Sequence, residues 1–259
     1  MNRGQFLKVI LRRVASKLLK NKSTSSIYSL DKGFLAESDI LVHETVKTEI
    51  MANFPNDFIL TEEDNLSTNN LNLENDFSWI IDPICGTTNY LYDIPFYSHS
   101  ATIFRKNKLH AAGVLDPLRD ELFFSSDNKF YVNDKLVSLK KETPIKEAII
   151  SINTNQSNFD NDKHSLKHII NKLSPPVCRR NRIMESANLE LAYVACGRID
   201  AYYNPTDKPW DIAAAQLLIP SAGGAVHILN NPNENIFNQK GILAAGSRTL
   251  LEEILKAIK

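Results

Sequence analysis

Leu7, Ile10, Leu11, Val14 and Leu18 recur at helical spacing, so the chain opens with a predicted amphipathic helix that buries one stripe. Ser23 to Ser26 read as a loop, and residues 39–51 read as a second helix with Asp39 at its start. A short strand at 58–60 runs into Thr61-Glu62-Glu63-Asp64, and an Asn-rich connection without periodicity follows to about Asp76. Trp79-Ile80-Ile81 reads as a buried strand that stops at Asp82-Pro83, because proline has no N–H for a ladder. Between 98 and 132, short apolar runs alternate with turn-like segments at 105–108, 116–120 and 125–128, which predicts an antiparallel meander.

Beyond Pro144 the rhythm changes to strand 148–152, helix 164–173 and a strand near Val177. Helices are predicted at 186–196, 211–222 and 249–258, with strands at 199–203, 225–229 and 242–245. No internal repeat is present. Helices and a sheet at 1–146 and an alternating half at 147–259 are therefore expected to form a single compact α/β unit.

Composition narrows the partners. The 30 basic and 30 acidic residues cancel, so no overall field favours nucleic acid or an anionic membrane. The apolar runs fall short of the ~20 residues needed to span a bilayer. Arg3, Lys8, Arg12, Arg13, Lys17, Lys20 and Lys22 precede the first acidic residue, Asp31, which also suits a targeting segment. The helical stripe favours an ordinary first helix instead. Three cysteines, Cys85, Cys178 and Cys196, lack the spacing of a zinc knuckle or disulfide framework, which fits a reducing cytoplasm.

Acidic residues stand where the chain turns: Glu62-Glu63 and Asp82 after strands, Asp211 at a helix start. Hard cations such as magnesium take several oxygen ligands, and separated strand ends can supply them. Each residue alone also reads as a cap, a turn residue or a solvated pair. The segment Asp82-Pro83-Ile84-Cys85-Gly86-Thr87-Thr88-Asn89 tips the balance, since Gly86 permits close backbone approach and Thr87-Thr88 offer hydroxyl and amide donors. It reads as a phosphate cradle beside a metal ligand.

Trp79-Ile80-Ile81-Asp82-Pro83-Ile84-Cys85-Gly86-Thr87-Thr88-Asn89-Tyr90 resembles the inositol monophosphatase signature W-x-x-D-P-x-D-G-T-x-N-F. Trp210-Asp211-Ile212-Ala213, closing on Ala222-Gly223-Gly224, resembles the second signature, and Thr61-Glu62-Glu63 resembles the family's G-E-E or T-E-E element. Segments 116–123 and 191–198 look closest to bacterial members of the inositol-1-monophosphatase or extragenic suppressor type. The resemblance implies an αβαβα layered fold and metal-dependent hydrolysis of a small phosphate monoester, inositol monophosphate or a related sugar or polyol phosphate. It implies that Glu63, Asp82 and the Ile84 carbonyl hold one Mg2+, and Asp82, Asp211 and position 85 a second. Asp39 and Thr87 would orient the attacking water. Gly86, Thr87 and Thr88 would hold phosphate, and Ser186, Ala187 and Asn204 would face the substrate. A homodimer is likewise implied.

Cys85 stands where the signature has its second Asp, and a thiolate is a soft ligand that favours Zn2+ or Mn2+ over Mg2+. Asn204 replaces a substrate-contacting Glu, Glu185 replaces a Gly, and Phe34-Leu35-Ala36 replace the D-L-V-T segment. These departures leave open a catalytically degenerate member that acts as a binding or regulatory protein. A phosphocysteine enzyme is disfavoured, because its Cys-x5-Arg loop would need arginine at position 91, which is Leu. Cys178 and Cys196 read as buried and inert.

Overall fold

A computed structural model describes residues 1–21, 27–30, 33–64, 75–139, 142–153 and 166–259. The predicted loop at 23–26, most of the Asn-rich connection and residues 164–165 lie outside them. The backbone of Phe34, Leu35 and Ala36 is described within a small hairpin, β1 (Ile27–Leu30) and β2 (Gly33–Ala36).

The first helix, α1 (Arg3–Asn21), carries the predicted stripe: Leu7, Ile10, Leu11, Val14 and Leu18 are each at most 2% exposed. Burying one large aliphatic side chain contributes ~1.5–3 kcal/mol, so this helix is part of the fold. It packs with α2 (Glu37–Asn53) on one face of a seven-stranded sheet. That sheet runs in chain order through β3 (Phe58–Thr61), β4 (Phe77–Cys85), β5 (Ser98–Arg105), β6 (Lys108–Asp116), β7 (Glu121–Ser126), β8 (Lys129–Val132) and β9 (Lys135–Val137). The pair β3–β4 is parallel and the remaining pairs are antiparallel, which is the predicted meander. Its tight turns place Lys106, Asn107, Asp127, Asn128, Asn133 and Asp134 at positive φ, and most of these residues are the Asn and Asp that tolerate it best.

A second sheet has the order β11-β10-β12-β14-β13, formed by β10 (Ile149–Ile152), β11 (Arg180–Arg182), β12 (Ala201–Asn204), β13 (Ala225–Asn230) and β14 (Lys240–Ala245). Between the sheets lie α5 (Ala187–Ala195), α6 (Pro209–Ile212) and α7 (Ala215–Ala222). Outside the second sheet lie α4 (Leu166–Leu173) and α8 (Arg248–Ala257). A short helix, α3 (Thr87–Leu91), follows β4. The layers are therefore αβαβα, an α/β sandwich with three apolar clusters at its interfaces. No helix of the described residues is long and apolar enough to cross a membrane.

Three sequence expectations need correction, and one strand is not expected at all. First, β4 does not stop at Asp82-Pro83 but continues to Cys85, because the register against β5 slips between Asp82 and Cys85. Proline is tolerated at such a bulge. Second, no strand forms at Val177, and the second strand of that half is Arg180–Arg182 instead. Third, residues 211–222 do not make one helix. The chain starts earlier, with Pro209 at the first helical position, and breaks before α7. Finally, the three-residue edge strand β9 has no apolar alternation to announce it.

The bulge places the chemistry. Along β4, Trp79 and Ile81 face the α1/α2 cluster while Ile80 faces the middle helices. Strict alternation would put residues 82 and 85 on opposite faces. With the extra residue Ile84 faces α1/α2, and both Asp82 and Cys85 face α5.

Candidate active site

Three chain segments meet at this end of the middle layer. The donor atoms of Asp82, Cys85 and Asp211 lie within 4.8 Å of one another. Asp211 is the third residue of α6, where its Oδ2 accepts the Lys208 backbone N–H at 2.8 Å. Helix capping thus orients the carboxylate.

Asp82 is buried, and one of its oxygens, Oδ1, has no hydrogen-bond partner. Its other oxygen accepts from the Asn188 side-chain amide at 3.0 Å. Burial pushes the Asp82 carboxyl well above the usual carboxylate range, and the nearby charges of Glu62, Asp211 and Asp39 add to the rise. Asp211 is raised to about 7, first by burial and then by Glu62. Burial likewise raises the Cys85 thiol, assisted by Asp82 and Asp211, so the sulfur stays protonated at neutral pH and hydrogen-bonds Asp82. Its Sγ accepts the Asn188 backbone N–H at 3.2 Å. Negative charge is crowded here without full compensation.

The turn at Glu62-Glu63 adds to the crowding. Glu62 N–H donates to the Ile81 carbonyl at 3.3 Å, which pins the turn beside β4. Of the two acids, it is Glu62 whose charge bears on both Asp82 and Asp211. Its Oε1 lies 3.5 Å from Lys208 Nζ, and that ammonium also sits 5.1 Å from the centre of the Trp210 ring. Glu63 lies outside the three-residue cluster and is raised to about 7, mainly by burial and then by Glu62.

Asp39 is buried near Asp82. The Thr87 hydroxyl donates to the Ile84 carbonyl at 3.1 Å, and Thr88 is exposed beside it. Gly86 caps α3 at φ +96°, and a Cβ there would lie 3.0 Å from the Glu185 carbonyl oxygen. Glu185 itself sits at φ +60°, a left-handed conformation that glycine adopts more easily. Ser186 Oγ donates to the Cys85 carbonyl at 2.8 Å, and Ala187 starts α5 beside it. Asn204 is more remote in its bonding. Its amide donates to buried Asp207, while its Oδ1 accepts from Thr206 N and Oγ1, both at 2.9 Å.

Across residues 4–259 the chain matches the model of the inositol monophosphatase family. The chain belongs to that family. An inositol monophosphatase of Dictyostelium discoideum is 31% identical, with 84% of this chain and 81% of the relative covered. The protein named Nus factor SuhB of Pseudomonas aeruginosa is 29% identical over 88% of this chain and 83% of the relative. The solved Thermotoga maritima IMPase superposes with a TM-score of 0.84 at 25% identity, over 100% of this chain and 97% of that one.

Within this inositol monophosphatase family fold, a divalent cation fits the donor set. Two carboxylates and a thiol converge, and a buried carboxylate oxygen lacks a partner. The thiol makes the set softer than one of oxygens alone. Asn188 and Lys208 belong to this neighbourhood and are not singled out by the sequence, whereas Glu62 stands in the acidic pair of which only Glu63 is assigned to the metal. Two polar residues, Asn188 and Glu190, in the first turn of a helix that is otherwise mostly apolar are the available signal for Asn188.

Proposed function

We propose that the chain hydrolyses a small phosphate monoester, an inositol monophosphate or a related sugar or polyol phosphate, with the help of a divalent cation. The observation that carries this reading is the convergence of Asp82, Cys85 and Asp211 within 4.8 Å, on a strand bulge that runs into the Gly86-Thr87 turn. In this reading Asp82, Asp211, Glu63 and the Ile84 carbonyl hold the cation, with Cys85 as a soft further donor. A bound Mg2+, Mn2+ or Zn2+ supplies charge stabilisation to the phosphoryl group and lowers the pKa of water.

The remaining duties fall to this chain's own groups. Asp39 and Thr87 position the attacking water and accept its proton, and the amides of Gly86 and Thr87 with Thr88 hold phosphate oxygens. Ser186 and Ala187 border the substrate alcohol. Asn204, whose amide is bonded to Asp207 and Thr206, serves here as support for Asp207 rather than as a direct contact. Lys208, beside Glu62, offsets part of the acidic charge. The halves 1–146 and 147–259 act as one unit, in a cytoplasmic homodimer.

Cys85 favours a second reading, in which the chain keeps the fold as a binding or regulatory protein. The name Nus factor SuhB, carried by several relatives, describes a factor rather than a phosphatase. The purified chain assayed on a panel of small phosphate esters with Mg2+, Mn2+ and Zn2+ separates the two. Turnover abolished by a chelator is expected, and no turnover with any cation would favour the second reading.

A further inference from the structure

Asn188 ties two of the three clustered donors at once. Its backbone N–H reaches Cys85 Sγ at 3.2 Å, and its side-chain Nδ2 reaches Asp82 Oδ2 at 3.0 Å and the Trp210 carbonyl at 3.3 Å. The Trp210 carbonyl can only accept, so the NH2 end of the amide faces it and Asp82. An amide nitrogen carries no lone pair free to ligate a metal. One of its N–H groups therefore occupies Asp82 Oδ2, one of the two oxygens that the carboxylate could offer a cation.

The other end of the amide shows the cost of this arrangement. Asn188 Oδ1 is buried and has no partner, and Asp82 Oδ1 is in the same condition. Buried, unpaired polar atoms are uncommon and mark a place where something else binds or where two arrangements compete. A cation that draws both Asp82 oxygens to itself must displace the amide, because the positive ends of the N–H bonds and the cation repel each other.

We propose that Asn188 is an internal competitor for the cation, an amide that holds Asp82 Oδ2 while no metal is bound and yields that oxygen to a cation that takes both. The proposal rests on the reading of Asp82, Cys85 and Asp211 as a cation site. It makes metal affinity a difference between two occupants of the same carboxylate, so the apo state is stabilised at the expense of binding. The backbone N–H to Cys85 is separate from this competition and stays in place when the side chain is removed.

The test is calorimetric titration of the full chain and of Asn188→Ala with Mn2+ and with Mg2+, alongside thermal unfolding in chelator and at saturating metal. Alanine suits the helix and retains the backbone N–H. The variant should bind Mn2+ at least ~5-fold more tightly, as expected for losing one competing hydrogen bond. Its metal-free unfolding midpoint should fall, while the metal-saturated midpoints of the two proteins should coincide. If Asn188→Ala does not fold, Asn188→Ser serves, since its hydroxyl is too short to replace the amide. Equal or weaker binding by the variant would overturn the competitor and leave the cation site standing. Failure of both proteins to bind either Mn2+ or Mg2+ would remove the cation reading as well.

Discussion

Arg3 holds the carboxylate of Asp57 by two hydrogen bonds of 2.7 Å, from Nε to Oδ2 and from Nη2 to Oδ1. Asp57 Oδ2 also accepts the Trp79 indole N–H at 2.8 Å, and the guanidinium lies 3.7 Å from the centre of the Phe77 ring. The first helix is thereby fastened to the strand that carries Asp82. Removing one partner of such a buried pair strands the other, at a typical cost of 3–5 kcal/mol. Arg3 is a quarter exposed, so Arg3→Ala should lower stability by about 2–3 kcal/mol, with Arg3→Lys intermediate because the bidentate geometry is lost. Denaturant unfolding measures both.

Gly86 allows a second forecast. At φ +96° any Cβ is strained, and here it would also press on the Glu185 carbonyl at 3.0 Å and on Ser186 Cβ at 3.2 Å. Gly86→Ala should cost at least ~2 kcal/mol, from the left-handed backbone together with the contact. Phosphatase activity should fall with it. A variant of unchanged stability, measured by thermal unfolding, would show that the turn relaxes freely.

Much of this architecture is legible locally. The α1 stripe and the β5–β8 hairpins are readable because burial and turn chemistry repeat over neighbouring residues, as at Asp127-Asn128. Boundaries are harder where a long-range contact decides them. Pro83 signals an end to β4 when read alone, yet the bulge against β5 carries the strand past it. The apolar run through Ala213-Ala214 hides the break between α6 and α7. Asp82 and Asp211 stand in recognisable motifs, whereas the role of Asn188 depends on partners 106 and 22 residues away that no local pattern reveals.

Glu190 makes stability depend on pH. It is wholly buried, accepts from Ser151 Oγ, Asn153 Nδ2 and the Ser186 N–H, and burial raises it from the ordinary 4.5 to about 7. An acid with a raised folded pKa binds its proton more tightly when folded than when unfolded. Its contribution is complete below pH 4.5 and is lost as the pH rises to about 7, by up to about 3 kcal/mol. Glu190→Gln mimics the protonated form, since the Ser151 hydroxyl can accept from its amide. The variant should show a flatter stability profile than the native chain between pH 5 and pH 8 in urea titrations.

Cys85→Asp restores the signature carboxylate but adds a third acid to a buried, already crowded pair. In chelator the variant should unfold at a lower temperature than the native chain, and magnesium should raise its midpoint by more. Magnesium-dependent turnover should rise at least ~10-fold, equivalent to ~1.4 kcal/mol of transition-state stabilisation. Stronger metal binding without turnover on any ester would favour the binding-protein reading.

The slip in register at the end of β4 separates two questions that most strand positions answer together. Where residue 85 points is decided by the main chain and the extra residue beside Pro83, not by the side chain attached. That end of the strand works as a fixed socket with an exchangeable plug. A lineage can therefore trade one ligand chemistry for another at residue 85 while the address stays the same. Deleting a single residue from the bulge would do the reverse, turning an unaltered side chain toward α1 and α2 and away from its partners.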